Sequence, residues 1–387
     1  MAETTAYSCP QCHATLKLDP KTGLLNCDYC GGSFEAESVE ERVDQVTSTR
    51  KKTGKSSSAA DQDRAKGKAA ASGSGPAVRT VAEWETLIAN GQVEQFDDVV
   101  GYTCPNCGAQ VISDKVTVAA SCQYCGSSVV VDQRLTGGLK PGYVIPFQIQ
   151  AKDLPQMLTD FYKDKPLLPK NFFYENQVGQ VQGLYVPFWL YDGRVDGSAT
   201  YTGSTSRVYL SGRDQVTETT HMRSDREGHV DFQRIPVDAS ERIDDDLMDS
   251  IEPFDYESMK PFIPAYLTGF VAERFDQSPR QVLERASSRM ETTAQNMFAS
   301  TVSYAASPQT SVFEAVNVAA SYVLLPVYLF NCNYKGTHYR YAVNGQTGKI
   351  VGEVPTGKRE SRTAFLKAAV PWVAAGVVAL LAYLALS

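Results

Sequence analysis

Three observations predict that this sequence of 387 residues folds as an α+β chain of several units. Eight of its nine cysteines form two copies of one spacing, between residues 9 and 125. From Lys140 to Pro355, strand-type apolar runs dominate and two helix-type segments interrupt them. The chain then closes on an uncharged apolar run.

The cysteine pattern comes first because its chemistry is the most specific. One set is Cys9-x2-Cys12-x14-Cys27-x2-Cys30, and the other is Cys104-x2-Cys107-x14-Cys122-x2-Cys125, at a constant offset of 95 residues. Each Cys-x-x-Cys turn places two thiolates on one side of a metal, and two such turns complete a tetrahedral site. The flanks repeat as well. Pro10 and Pro105 follow the first ligand of each set, while Gly31 and Gly126 follow the last. A glycine there lets the backbone turn tightly and aim its amides at sulfur. Disulfides or redox-active pairs are the competing reading. Met1 to Tyr7 is polar and carries no apolar signal core, which favours a reducing compartment and metal ligation. The expectation is two zinc ribbons, at residues 1–35 and 101–135. Each would hold one Zn2+ through four cysteines, a closed structural site without an open position for water. Cys332 stands outside the pattern, in an apolar run where it reads as a buried small residue.

At the other end, Ala368 to Leu386 carries no charge. About twenty residues at about 1.5 Å each span roughly 30 Å, the thickness of a bilayer's hydrocarbon core. Trp372 and Tyr383 sit toward opposite ends, and Lys358, Arg359, Arg362 and Lys367 precede the run. Residues 356–367 therefore read as a basic juxtamembrane segment and 368–387 as one C-terminal transmembrane helix. The expected localisation is the cell membrane, single-pass, with the N-terminal domains cytoplasmic. A terminal helix buried in a soluble domain is the alternative.

Between the ends, residues 36–80 read as a disordered basic linker, with seven basic residues from Arg50 to Lys68 and no aromatic from Arg50 to Gly75. Residues 81–100 hold a short helix with Trp84, Leu87 and Ile88 on one face, broken near Asn90-Gly91. The β-rich mixed domain, 140–355, has three runs centred on proline, at Pro146, Pro187 and Pro326. Proline cannot donate to a ladder, so these read as edge strands or bulges. Asn344-Gly345 signals a hairpin between Thr337–Val343 and Lys349–Val354. Helices are expected from Lys152 to Tyr162 and from Ser278-Pro279-Arg280-Gln281 onward, the latter with an apolar stripe of Leu283, Ala286, Met290, Ala294 and Met297. Asp231 to Glu257, with ten acidic residues, lacks EF-hand order and reads as a solvated loop. The fold class is thus α+β multidomain: two small zinc ribbons, a β-rich mixed domain and one C-terminal transmembrane helix.

Catalytic motifs are absent. His13, His221, His229 and His338 lack metal or triad spacing, and there is no HExxH, GxSxG, Walker A or dinucleotide loop. The expectation is a non-enzyme without a small-molecule substrate. A hydrolase hidden in the β-rich domain would need a polar cluster around His221 and His229 in a deep pocket. Nucleic-acid binding through phosphate neutralisation needs a basic face. The first ribbon is about −1 in net charge and the second is neutral, within a chain of −7. Tyr29 and Tyr124 could stack on bases, or equally pack on their own ribbons.

The ribbons, Val186-Pro187-Phe188-Trp189, Pro236–Ser240, Tyr266–Phe270 and Asn344–Gly348 together resemble a family of bacterial tail-anchored proteins with a TFIIB-type zinc ribbon. Members are often labelled primosomal-helicase-like, but this sequence has no ATPase motif to match. The family is similar to a membrane component of envelope-stress systems built on phage-shock protein A. The resemblance implies a membrane-anchored cytoplasmic scaffold or adaptor that recruits cytoplasmic and membrane proteins, a phage-shock-protein-A homologue among them. The alternative is a membrane-associated nucleic-acid-binding or replication-linked zinc-ribbon protein.

Overall fold

Two proline-centred apolar runs, Leu184–Tyr191 and Val323–Phe330, lie side by side and antiparallel, and every residue of both is buried. The computed structural model describes residues 9–12, 16–20, 22–27, 30–36, 38–39, 78–90, 100–103, 110–113, 139–163, 165–169, 172, 181, 183–267, 270–357, 361 and 369–370. In chain order its strands are β1 (Leu16–Asp19), β2 (Leu24–Cys27), β3 (Ser33–Glu35), β4 (Arg79–Thr80), β5 (Val100–Thr103), β6 (Gln110–Ser113), β7 (Tyr143–Val144), β8 (Gly183–Ser211), β9 (Asp214–Asp238), β10 (Lys260–Pro261), β11 (Val271–Glu273), β12 (Ser307–Tyr334), β13 (Thr337–Asn344) and β14 (Ile350–Gly352). The helices are α1 (Val81–Ala89), α2 (Leu154–Lys163), α3 (Asp245–Ser250) and α4 (Leu283–Ser300). β1–β2–β3 form a small antiparallel sheet, and the other eleven strands form one large sheet with β12 and β8 at its centre.

The central strands are buried on both faces, which is why their sequence is a continuous apolar run instead of an alternation. Leu184, Val186, Phe188 and Leu190 share one face with Val323, Leu325, Val327 and Leu329, under Met248, Ile251 and Phe254. Tyr185, Trp189 and Tyr191 share the other with Tyr322, Tyr328 and Phe147. α1 closes this aromatic face. Thr80 and Glu83 form a capping box at its start, Trp84 packs edge-on to Trp189 at 5.2 Å, and the Trp84 indole donates to the Ala320 carbonyl at 2.8 Å. Each such side chain stabilises by about 1.5–3 kcal/mol through area removed from water.

The large sheet is a structural duplication. One unit is β7, α2, β8 and β9; the other is β11, α4, β12 and β13. β7 runs parallel to β12, with Tyr143 opposite Val323, while β11 runs parallel to β8, with Val271 opposite Leu184. The Pro187 carbonyl accepts from Ala239 N, as the Pro326 carbonyl accepts from Gly345 N. Ala239 O accepts from the amides of Asp276 and Gln277, as Gly345 O accepts from those of Gln148 and Ile149. The Trp189 indole donates to Gln277 O at 2.9 Å, and the Tyr328 hydroxyl to Ile149 O at 2.7 Å. One correspondence relates all these pairs, and each unit lends its first strand to the other.

This arrangement corrects the reading of the prolines as edge residues. Pro187 and Pro326 stand in the two central strands, at the points where the outer neighbour changes. Outside β8, pairing passes from β11 at Tyr185 to β9 at Phe188. Outside β12 it passes from β7 at Leu324 to β13 at Val327. The missing N–H therefore falls in a gap between neighbours, where no acceptor waits.

The fold-class expectation is corrected in two further respects. The second cysteine segment is not flanked by a free-standing sheet: β6, which lies where the 95-residue offset would place the counterpart of β1, pairs with β11 and joins β5 to the large sheet. The transmembrane helix is not supported either. Among the described residues no helix is long and apolar enough to cross a membrane. α4 has the necessary 18 residues but is amphipathic, burying Ala286, Met290 and Ala294 and exposing polar residues elsewhere. The expected span at 368–387 lies outside the described residues, apart from Ala369 and Val370. The expected single-pass anchor and membrane localisation are accordingly withdrawn. Most of the expected basic linker also lies outside the described residues, although its end, Arg79–Thr80, is strand β4 paired with Ala319 and Ala320 of β12. The hairpin stands as expected, β13 pairing with β14, but its turn runs from Asn344 to Lys349 and takes its positive φ at Gly348.

Tyr328→Phe should remove one hydrogen bond of the duplicated set and leave Ile149 O without that donor. A loss of about 1–2 kcal/mol is expected in urea unfolding, and an unchanged midpoint would contradict the role given to this contact.

Candidate functional site

The first cysteine set comes together on the small sheet. β1 alternates, burying Leu16 and Leu18 and exposing Lys17, and β2 brings Cys27 opposite Leu16. Gly23, at φ +67°, closes the β1–β2 turn on Asp19 O, with the Thr22 hydroxyl donating to the Asp19 carboxylate at 3.1 Å. Asp19 also accepts from the Gln150 amide at 2.8 Å, which ties the small sheet to the loop after β7. Beyond Cys27 the chain turns through Gly31, at φ +73°, whose amide donates to Cys27 O at 2.9 Å. The tight turn expected of a glycine after the last ligand is met, but the Gly31 amide goes to a carbonyl oxygen and not to sulfur.

Cys9 Sγ lies 3.5 Å from Cys30 Sγ, Cys12 Sγ lies 3.4 Å from Cys27 Sγ, and all four sulfurs fall within 4.8 Å of one another. A disulfide would bring two of them to about 2.05 Å, and none is formed. A tetrahedron with metal–sulfur bonds of about 2.3 Å has edges of about 3.8 Å, so the four fit around one ion. The Gln11 amide donates to Cys9 Sγ at 3.4 Å, and the Gln11 side-chain oxygen lies 3.7 Å from Cys30 Sγ. Burial pushes the Cys9 thiol up, but amide hydrogen bonds from Gln11 and Cys12 and contacts with the Cys30 and Cys12 thiols outweigh it, leaving Cys9 below its ordinary value. At Cys30 an amide hydrogen bond from Gly32 pulls down, while the Cys9 thiol, desolvation and the Cys27 thiol leave it raised. Cys9 and Cys27 are buried and Cys30 is exposed, so the cluster opens to solvent on one side. Cys104, Cys107, Cys122 and Cys125 lie outside the described residues, as do Tyr29, Tyr124 and His13.

The acidic stretch 231–257 is not a solvated loop. α4 presents Arg285 and Arg289 one turn apart, and they draw its carboxylates together. Arg285 meets Asp238 at 2.7 Å, Asp245 at 3.0 Å and Asp249 at 2.6 Å. Arg289 meets Asp249 at 3.3 Å and Glu252 at 3.0 Å. Asp244 caps α3 by accepting from Leu247 N. Arginines at i and i+4 beside an acidic segment were the available sequence signal for this network. Asp238 is fully buried, and one of its oxygens lacks a partner. Burial pushes its carboxyl up to about 6, against the pull of Arg285, and Asp245 and Asp249 add to the rise. Burial also raises Glu252. His221 and His229 occupy exposed positions of β9. Eight residues of strand, about 27 Å, separate them.

The chain is 30% identical over 313 residues to "Uncharacterized protein YdjG" of Bacillus subtilis (strain 168), an alignment covering 67% of this chain and 91% of the relative. No family model matches the sequence. No solved structure matches it either.

The Asp238 environment generates a pH prediction. Its folded-state value, about 6, lies above the ordinary 3.8, so the native state holds this proton more tightly than the unfolded chain. The contribution of Asp238 to stability is then fully present below about pH 4 and is lost as pH rises through 6. Measured against Asp238→Asn, the wild type should lose on the order of 2–3 kcal/mol between pH 4 and pH 7 in urea titrations. A difference that stays flat across that range would refute the assignment.

Proposed function

This chain belongs to the same family as YdjG of Bacillus subtilis, and on that premise we propose that it is a non-enzymatic scaffold whose zinc-stabilised N-terminal ribbon presents a protein-binding surface. The observation that carries this reading is the four-cysteine cluster itself. Four thiolates complete a tetrahedral shell, so a bound ion keeps no open position for water or substrate and acts on folding instead of chemistry. Zinc is the metal suited to such a set in a role without redox change.

The ribbon's construction supports the same reading. Three short strands have too little apolar area to hold themselves together, so the metal supplies the stability and the exposed side is left for a partner. The ribbon's exposed residues, Gln11, Lys17, Cys30, Ser33, Glu35 and Ser38, are of mixed polar character. That character suits a protein partner better than a polyphosphate backbone, which asks for clustered positive charge.

Elemental analysis of the purified full-length chain should find zinc, and Cys27→Ser should lose about one equivalent while urea unfolding still shows the large sheet's transition. Pull-downs from host lysate with the two proteins, run with and without nuclease, should recover a defined set of proteins that the substitution abolishes and nuclease spares. Iron in place of zinc would overturn the metal assignment. Capture that disappears with nuclease would overturn the protein-scaffold reading in favour of nucleic-acid binding.

A further inference from the structure

Past Thr202 the central sheet narrows to a two-stranded arm. β12 enters opposite Thr202 at Ser307, and Tyr304 and Ala305 lie tight against Gly203. From Gly203 to Ser211, β8 pairs with β9 on one side. Among the described residues it has no strand on the other. The arm turns at Gly212, φ +66°, and extends about 30 Å for nine residues. Every residue from Ser204 to Ser211 is exposed. Val208, Tyr209 and Leu210 are 54, 41 and 77 % exposed, three consecutive large apolar residues near the tip.

A two-stranded hairpin with neither face packed is marginal in water, and an open edge is a template for another strand. The two edges of this arm differ in what they present. Along the arm, residues 214–222, β9 carries Asp214 and Glu218, two charges of one sign that discourage self-pairing. β8 from Ser204 to Ser211 has one charge, Arg207, and no proline. Its register with β9 is uninterrupted from Gly193 onward, so no bulge blunts the edge.

We propose that two copies of this chain associate by antiparallel pairing of their Ser204–Ser211 edges about a twofold axis, giving a four-stranded sheet with β8 of each copy at its centre. The occupant is a second copy because the edge complements itself. With the axis at Val208, Val208 faces the partner's Val208, and Arg207 faces Tyr209 of the partner subunit. Arg207 already stacks on its own Tyr209 ring at 5.2 Å, so in the dimer its guanidinium lies between that ring and Tyr209 of the partner subunit. Leu210 and Val208 of both copies gather on one face. The pairing continues the central sheet from the point where β12 leaves it, and it satisfies the amides and carbonyls that the arm otherwise gives to water.

Sedimentation and light scattering of the full-length protein test this directly. The wild type should be a dimer, while Val208→Lys, which puts two ammonium groups at the axis, should halve the apparent mass. A second variant replaces residues 204–221 with an Asn-Gly turn, and it should also be monomeric. Both variants should still unfold in a cooperative urea transition of the large sheet, because the exposed arm is not part of its core. A wild type that stays monomeric up to its solubility limit would overturn the proposal. So would a dimer that survives Val208→Lys.

Discussion

The antiparallel contact between β8 and β12 is the constraint on which the rest of the structure depends. Two strands buried on both faces need cover above, cover below and a neighbour on each outer side. The elements packed directly against them answer those needs. α1 and the loop after β7 cover the aromatic face, and the segment around α3 covers the aliphatic one. β9 and β13 pair with the outer edges over most of their length. The short strands β7 and β11 fill what is left, each beside the central strand of the other unit. A proline at each changeover costs no ladder hydrogen bond, because its missing N–H falls between the two outer ladders and its carbonyl is still bonded outward.

The duplicated units have diverged where their equivalent residues meet different surroundings. Asp238 and Asn344 stand at matching ends of β9 and β13, and both are fully buried. Asn344 is satisfied by neutral groups: its amide donates to Ile251 O and Pro253 O, and its oxygen accepts from the amides of Gln346 and Thr347. Asp238 carries a charge in the same setting, and a buried carboxylate must be paired. α4 supplies Arg285, and the remaining acids crowd around that arginine and Arg289. One buried carboxylate thus organises the acidic segment that in sequence looks like a solvated loop.

Much of the site and part of the fold were legible in the sequence. Four cysteines at ligand spacing identify each other without any structure, because a metal demands few residues at fixed separations. α1 and the hairpin at Asn344 were legible for a similar reason, since their signals are local; the long helix was legible too, but it starts at Leu283 and not after a Ser278 cap, and Met297 of its expected stripe is exposed. The duplication was not. Its evidence is a set of hydrogen bonds and strand pairings between residues distant in the chain, such as Gly345 with Gln148 and Ala239 with Asp276, and the two units share little beyond a proline and its apolar neighbours. The length of β8 and β9 was hidden too. Their outer half is exposed on both faces, and alternation cannot mark a strand that buries neither side. β6 was read with the ribbon because the cysteines beside it dominate that segment, and only β11 reveals its membership of the large sheet.

Exchange of first strands has a consequence for how the chain holds together. β7 pairs with residues about 180 positions away, and such contacts form only after the long loops between them have closed. Neither unit has a complete sheet alone: without β11, β8 lacks its neighbour before Pro187, and without β7 so does β12 before Pro326. The large sheet is therefore one cooperative body despite its two-unit plan. The second cysteine segment enters that body through β6, on the far side of β11, while the first reaches it through the Asp19–Gln150 contact. β6 and the small sheet are thus joined to the loops and strands around the two prolines, the same places where the exchanged strands dock. The arm of β8 and β9 extends from the other, unexchanged end of β8.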